Sequence, residues 1–118
     1  MKTKLIELAT SKQIGFTSQM FTDTNWKHSL KEDLRYYLWL CELQKWCRDN
    51  YSKHITIFSS SQESWMFRIT IPHQKLEDGK YGEDFYTFEQ ALEEGLYQTL
   101  LLIQKENGEN NRRKDTGV

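Results

Sequence analysis

The chain has 118 residues and a formal net charge of −1, so its length suits one domain around one ordinary core. The near-neutral balance lacks the basic excess on which non-specific nucleic-acid binding depends. Apolar residues at 37% and charged residues at 28% give a globular composition, and 14% aromatic content means that a few large side chains supply much of the burial.

In chain order, residues 3–12 read as a short helix, with Leu5, Ile6, Leu8 and Ala9 on one side. Gly15 breaks that pattern; Phe16, Met20 and Phe21 follow as an irregular apolar stretch, and Thr22 to Asn25 as a loop. Ser29-Leu30-Lys31-Glu32 is a capping-box signature, which starts the main helix near Leu30 and carries it to Asp49 or Asn50. This helix has two apolar flanks. One holds Leu30, Leu34, Tyr37, Leu38 and Cys41; the other, nearly opposite, holds Tyr36, Trp39, Leu40, Leu43, Trp46 and Cys47. A helix on a small sheet buries one flank, so the second must be covered by the N-terminal segment, by the C-terminal helix or by another molecule.

His54 to Phe58 and Trp65 to Ile71 alternate as two strands of a hairpin around a Ser59–Ser64 loop. Matching their apolar faces pairs Ile57 with Trp65 and Ile55 with Phe67, and sets His54 opposite Arg68. Pro72 ends the second strand, Asp78-Gly79 marks a turn, and a short third strand is expected around Asp84 to Tyr86. A second capping box, Thr87-Phe88-Glu89-Gln90, opens a helix to about Lys105. Its inward stripe holds Phe88, Ala91, Leu92, Gly95, Leu96, Thr99 and Ile103, with Gly95 placed to admit a close neighbour. The expected fold is α+β: a short N-terminal helix, then α-β-β-β-α, with two main helices packed on one face of a three-stranded antiparallel sheet. Residues 1–106 form the single domain, and 107–118 a disordered polar tail.

Chemistry is sparse in this pattern. His54 and His73 are expected about 17 Å apart along the hairpin, and His28 sits at a helix entry, so no metal site is expected. Ser59-Ser60-Ser61 lacks a strained elbow and a His–acid pair, no phosphate-cradling glycine motif occurs, and neighbouring acids such as Glu83-Asp84 and Glu93-Glu94 point apart. Neither catalytic residues nor a cofactor are expected. Cys41 and Cys47 lie about 120° apart around their helix and read as reduced thiols. Leu5-Ile6 is too short an apolar core for a signal peptide and no run approaches membrane length, so a cytoplasmic protein is expected.

The α-β-β-β-α order is also that of the double-stranded-RNA-binding domain. Here, however, the last helix opens with Glu89, Glu93 and Glu94, which would repel phosphate. The expectation is therefore a non-enzymatic protein-interaction module. Its surface is formed by Tyr36, Trp39, Leu43 and Trp46, with Tyr97 and Leu101 of the last helix, and self-association as a homodimer is one version of it. The alternative is a nucleic-acid-associated accessory protein that uses the outer sheet face or the basic cluster Arg112, Arg113 and Lys114.

Two phrases, Tyr37-Leu38-Trp39-Leu40-Cys41-Glu42-Leu43-Gln44-Lys45-Trp46 and Phe88-Glu89-Gln90-Ala91-Leu92-Glu93-Glu94-Gly95-Leu96, carry a resemblance, with Leu8-Ala9 and Gly15-Phe16 fitting less tightly. Over most of residues 1–106 the chain resembles a group of small uncharacterised proteins of Bacteroides-type gut bacteria and of their phages and mobile elements. The resemblance implies a small accessory protein and transfers no catalytic or binding residue.

Overall fold

The computed structural model describes residues 1–18, 32–61, 64–71, 80–81 and 85–115, with the backbone alone at 32–33, 60–61, 80–81 and 109–115. Three helices pack with one antiparallel hairpin: α1 (Lys2–Ala9), α2 (Glu32–Tyr51) and α3 (Phe88–Asp115), with β1 (His54–Ser61) and β2 (Ser64–Thr70). The hub is α3, which touches α1, α2, β1 and β2.

Local chemistry explains the helix ends. Thr87 caps α3 by accepting the Gln90 N–H on its Oγ1 at 3.1 Å, as the second capping box predicts. The Ser29 box lies outside the described residues. At the end of α1, Thr10 Oγ1 and Ser11 Oγ donate to the carbonyls of Ile6 and Leu8. Gly15, at φ +72°, then turns the chain so that the Phe16 N–H reaches the Ala9 carbonyl at 2.8 Å. Asn107 Nδ2 donates to the Gln13 carbonyl at 2.8 Å and ties this turn to α3. α2 ends on Ser52, at φ 54°, whose N–H reaches the Arg48 carbonyl at 3.1 Å in an αL cap.

The core forms where these elements meet. Leu5 and Ala9 of α1, Leu40, Leu43 and Cys47 of α2, Ile69 of β2, and Leu92, Leu96, Leu100 and Ile103 of α3 are all buried. Gly95 is the point of closest approach between helix and sheet. A Cβ there would stand 2.9 Å from Ile55 Cγ2 and 3.1 Å from Phe67 Cγ, so α3 crosses the hairpin where it has no side chain.

The expected three-stranded sheet is overturned. The sheet is in substance a two-stranded antiparallel hairpin. Among the described residues, only the two-residue β3 (Lys80–Tyr81) joins it, opposite Arg68 and Ile69. In the expected strand around Asp84 to Tyr86, Phe85 makes a single isolated bridge to Trp65. The physical reason is the nearness of α3: Thr87 caps that helix two residues after Phe85, so the chain leaves the edge of β2 after its exchange with Trp65. Pro72 and Asp78-Gly79 lie outside the described residues.

The hairpin register also differs from expectation. Ile57 faces Phe67, Ile55 faces Ile69 and His54 faces Thr70, two residues from the predicted pairing. The serines cause the shift, because Ser59 and Ser61 continue β1 through an irregularity and shorten the connection. A two-residue shift preserves the alternation, so the inward face is unchanged. The expected helix end near Lys105 is corrected as well, since α3 continues to Asp115 and takes in residues 107–115 of the expected tail.

Candidate functional site

The flank nominated as an interaction surface turns inward. Leu43 is fully buried and Trp39 is 6% exposed; Trp46, Tyr36 and Tyr97 are half-buried, and Leu101 is exposed on α3. Part of the cover comes from the N-terminal segment. Phe16 meets Trp39 edge-on at a 5.6 Å centroid separation and Trp46 at 5.5 Å, which bridges the two rings from one chain. Of the covers left open by the sequence, two are realised within the chain: the N-terminal segment over Trp39 and Trp46, and α3, whose Glu93 holds the Tyr36 hydroxyl.

Tyr36 is anchored in the same seam. Its hydroxyl donates to Glu93 Oε2 at 2.5 Å, its ring stacks on Trp39 at 6.1 Å, and Lys2 Nζ sits 4.8 Å above it. Burial, then the Glu93 hydrogen bond and charge, push its pKa above the ordinary tyrosine value. This is a joint between α1, α2 and α3 rather than a free contact surface.

The other flank of α2 stays uncovered in part. Leu34 is 47% exposed, and Leu38 and Cys41 are half-buried. Beside them a half-open groove of about 460 Å³ runs along α2, bounded by Phe16 and Thr17 on one side and by Leu38, Cys41 and Trp46 on the other. Glu42, Lys45 and Asp49 contribute its polar rim. Ser18 Oγ donates to Glu42 Oε2, which fixes one wall to the N-terminal segment. Burial raises the Tyr37 pKa from its ordinary value, with neighbouring Cys41 adding to the shift.

The sequence shows the flank of Leu30, Leu34, Tyr37, Leu38 and Cys41 but not the groove that Leu38 and Cys41 form with Phe16. A glycine that reverses the chain just before an aromatic residue was the available signal. Lys53 also went unread. It is 2% exposed and its Nζ lies 2.7 Å from Glu106 Oε1.

Among the described residues no three His, Cys, Asp or Glu side chains stand together to hold a metal ion, and no helix is long and apolar enough to cross a membrane. His28 and His73 lie outside the described residues. Arg112, Arg113 and Lys114 lie in the last turns of α3, where the backbone alone is described. The outer sheet face carries Arg68 over the Phe58 ring at 5.2 Å.

Compared with known proteins, the chain matches no family model, no curated protein and no solved structure.

Proposed function

We propose that this chain is a non-enzymatic protein-interaction module whose working surface is the outward flank of α2. The supporting observation is the groove that Phe16 and Thr17 form with Leu38, Cys41 and Trp46 of α2. A groove of this size with apolar walls suits one or two apolar anchors from an amphipathic segment of another protein. The rim carries Glu42 and Asp49 against Lys45, so a basic residue beside the anchor complements it. An accessory protein of phages or mobile elements is the setting that the sequence resemblance implies for such a module.

The test is parallel affinity capture with the wild type, Leu38→Glu and Thr56→Lys from nuclease-treated lysate, with circular dichroism to establish folding. A protein retained in stoichiometric amount by the wild type and by Thr56→Lys, and lost with Leu38→Glu, supports the groove. Equal retention by all three overturns it. Recovery from untreated lysate that vanishes with nuclease and falls steeply with salt supports the nucleic-acid reading instead.

A further inference from the structure

α3 carries an outward ridge. Its buried side holds Leu92, Leu96, Leu100 and Ile103. At about 100° per residue the opposite side holds Gln90, Glu94, Tyr97, Leu101, Lys105 and Gly108. Glu94 and Tyr97 are half-buried and the other four are exposed, with Leu101 among the large apolar side chains left to water.

The charges along this helix are sorted. Glu93 is held by Tyr36 and Glu106 by Lys53, which leaves Glu89 and Glu94 near the start and Lys105 toward the end. Among the described residues Lys105 makes no ion pair. Glu94 Oε1 accepts Gln98 Nε2 at 2.9 Å, and Oε2 keeps its own acceptor sites. Beyond Ile103 the helix runs on to Asp115 through Gly108, Asn110 and Asn111, residue types of low helix propensity. A stretch of that kind is held helical by a neighbour more than by its own propensity.

We propose that α3 pairs antiparallel with α3 of a second copy of this chain, about a two-fold axis at Leu101. That register sets Leu101 against Leu101, Tyr97 against Lys105 and Glu94 against Gly108 of the second copy. The Lys105 stem then lies on the Tyr97 ring, and its ammonium reaches Glu94 one turn away. The last turns, with Arg112 and Arg113 in their sequence, run beside the first turn of the second copy, which holds Glu89. A parallel copy would set Glu94 on Glu94 and Lys105 on Lys105, so the charge order selects the antiparallel arrangement. The contact is isologous and closes at two copies. None of its residues lines the groove on α2, so the pairing stands apart from that reading.

Tyr97 and Leu101 are the only apolar anchors of the ridge, so the dimer is a weak one. The experiment is light scattering across a concentration series reaching about 1 mM, with circular dichroism to establish folding. It compares the wild type, Leu101→Glu, Lys105→Glu, the swap Glu94→Lys with Lys105→Glu, and Leu38→Glu as the groove control. The proposal expects a wild-type dimer, and folded Leu101→Glu and Lys105→Glu with dissociation constants raised about tenfold or more. The swap should recover much of the loss, and Leu38→Glu should pair as the wild type does. A wild type that stays monomeric throughout the series overturns the proposal. So does a dimer that survives Leu101→Glu, because its interface then lies elsewhere. A swap that recovers nothing overturns the antiparallel register.

Discussion

Lys53 Nζ lies 2.7 Å from Glu106 Oε1, and the pair joins the start of the hairpin to the outer turns of α3. The lysine side chain is 3% exposed while the glutamate is 48% exposed, so the anion remains hydrated as the cation is enclosed. Glu106→Gln leaves the ammonium without its counter-charge, but water replaces part of what is lost. The expected cost is about 1–2 kcal/mol, below the value for a fully buried pair. Lys53→Met, which keeps the stem and removes the charge, is expected to stay within about 1 kcal/mol of the wild type. Urea unfolding midpoints for both variants measure this asymmetry.

Phe16 bridges Trp39 and Trp46. Phe16→Ala opens a space over both rings, with an expected loss of about 3 kcal/mol. Tryptophan emission in the folded variant should shift to the red as water reaches the indoles. An unshifted spectrum with unchanged stability would mean that the N-terminal segment does not seal this flank.

Two glycines of α3 should respond with opposite sign. At Gly95 an added methyl meets Ile55 and Phe67 below ordinary contact distance, so Gly95→Ala is expected to lose about 1–2 kcal/mol, net of its gain in helix propensity. At Gly108 nothing lies within 4 Å of the added Cβ, and Gly108→Ala should gain up to about 1 kcal/mol. Thermal unfolding of the two variants side by side checks the pair.

Burial pushes the Cys47 thiol from its ordinary value of 9.0 up to about 12, partly offset by the nearby Lys53 charge. A raised folded-state pKa means that the unfolded chain releases its proton first. The stability held by the neutral thiol is complete below pH 9 and is lost between about pH 9 and 12, at up to about 1.4 kcal/mol per pH unit. Tyr36 shifts in the same direction, so both groups make the protein less stable in alkali. Denaturant titrations from pH 8 to pH 11 read the slope, and it should flatten in Cys47→Ala. At neutral pH a thiol reagent should modify the half-buried Cys41 and spare Cys47 until the chain is unfolded.

The parts legible in the sequence were those set by short-range chemistry. Thr87 announced the start of α3, the alternation of Ile55, Ile57, Phe67 and Ile69 announced the inward face, and Gly95 on a helical stripe announced a close crossing. What was not legible depended on comparing long-range alternatives of similar energy. In the sequence the two flanks of α2 are both apolar, and the partners that turn one of them inward, Phe16 against Trp39 and Trp46 and Glu93 against Tyr36, lie far from it along the chain. The serines at 59–61 fit a loop or a strand equally well, so the register waited on the turn. Lys53 carries no local mark of burial, because its counter-charge lies far along the chain at Glu106.

The position of α3 as the last described element has a consequence for the order of events during synthesis. α1, α2 and the hairpin each lay an apolar surface against it, down to Ile103. None can complete its packing before that helix leaves the ribosome. Until then the nascent hairpin shows water its inward isoleucines, which makes this interval the chain's most aggregation-prone. Pausing translation just after the codon for Thr87 should therefore leave an unfolded, chaperone-bound chain, whereas a pause that exposes all of α3 should release a folded one.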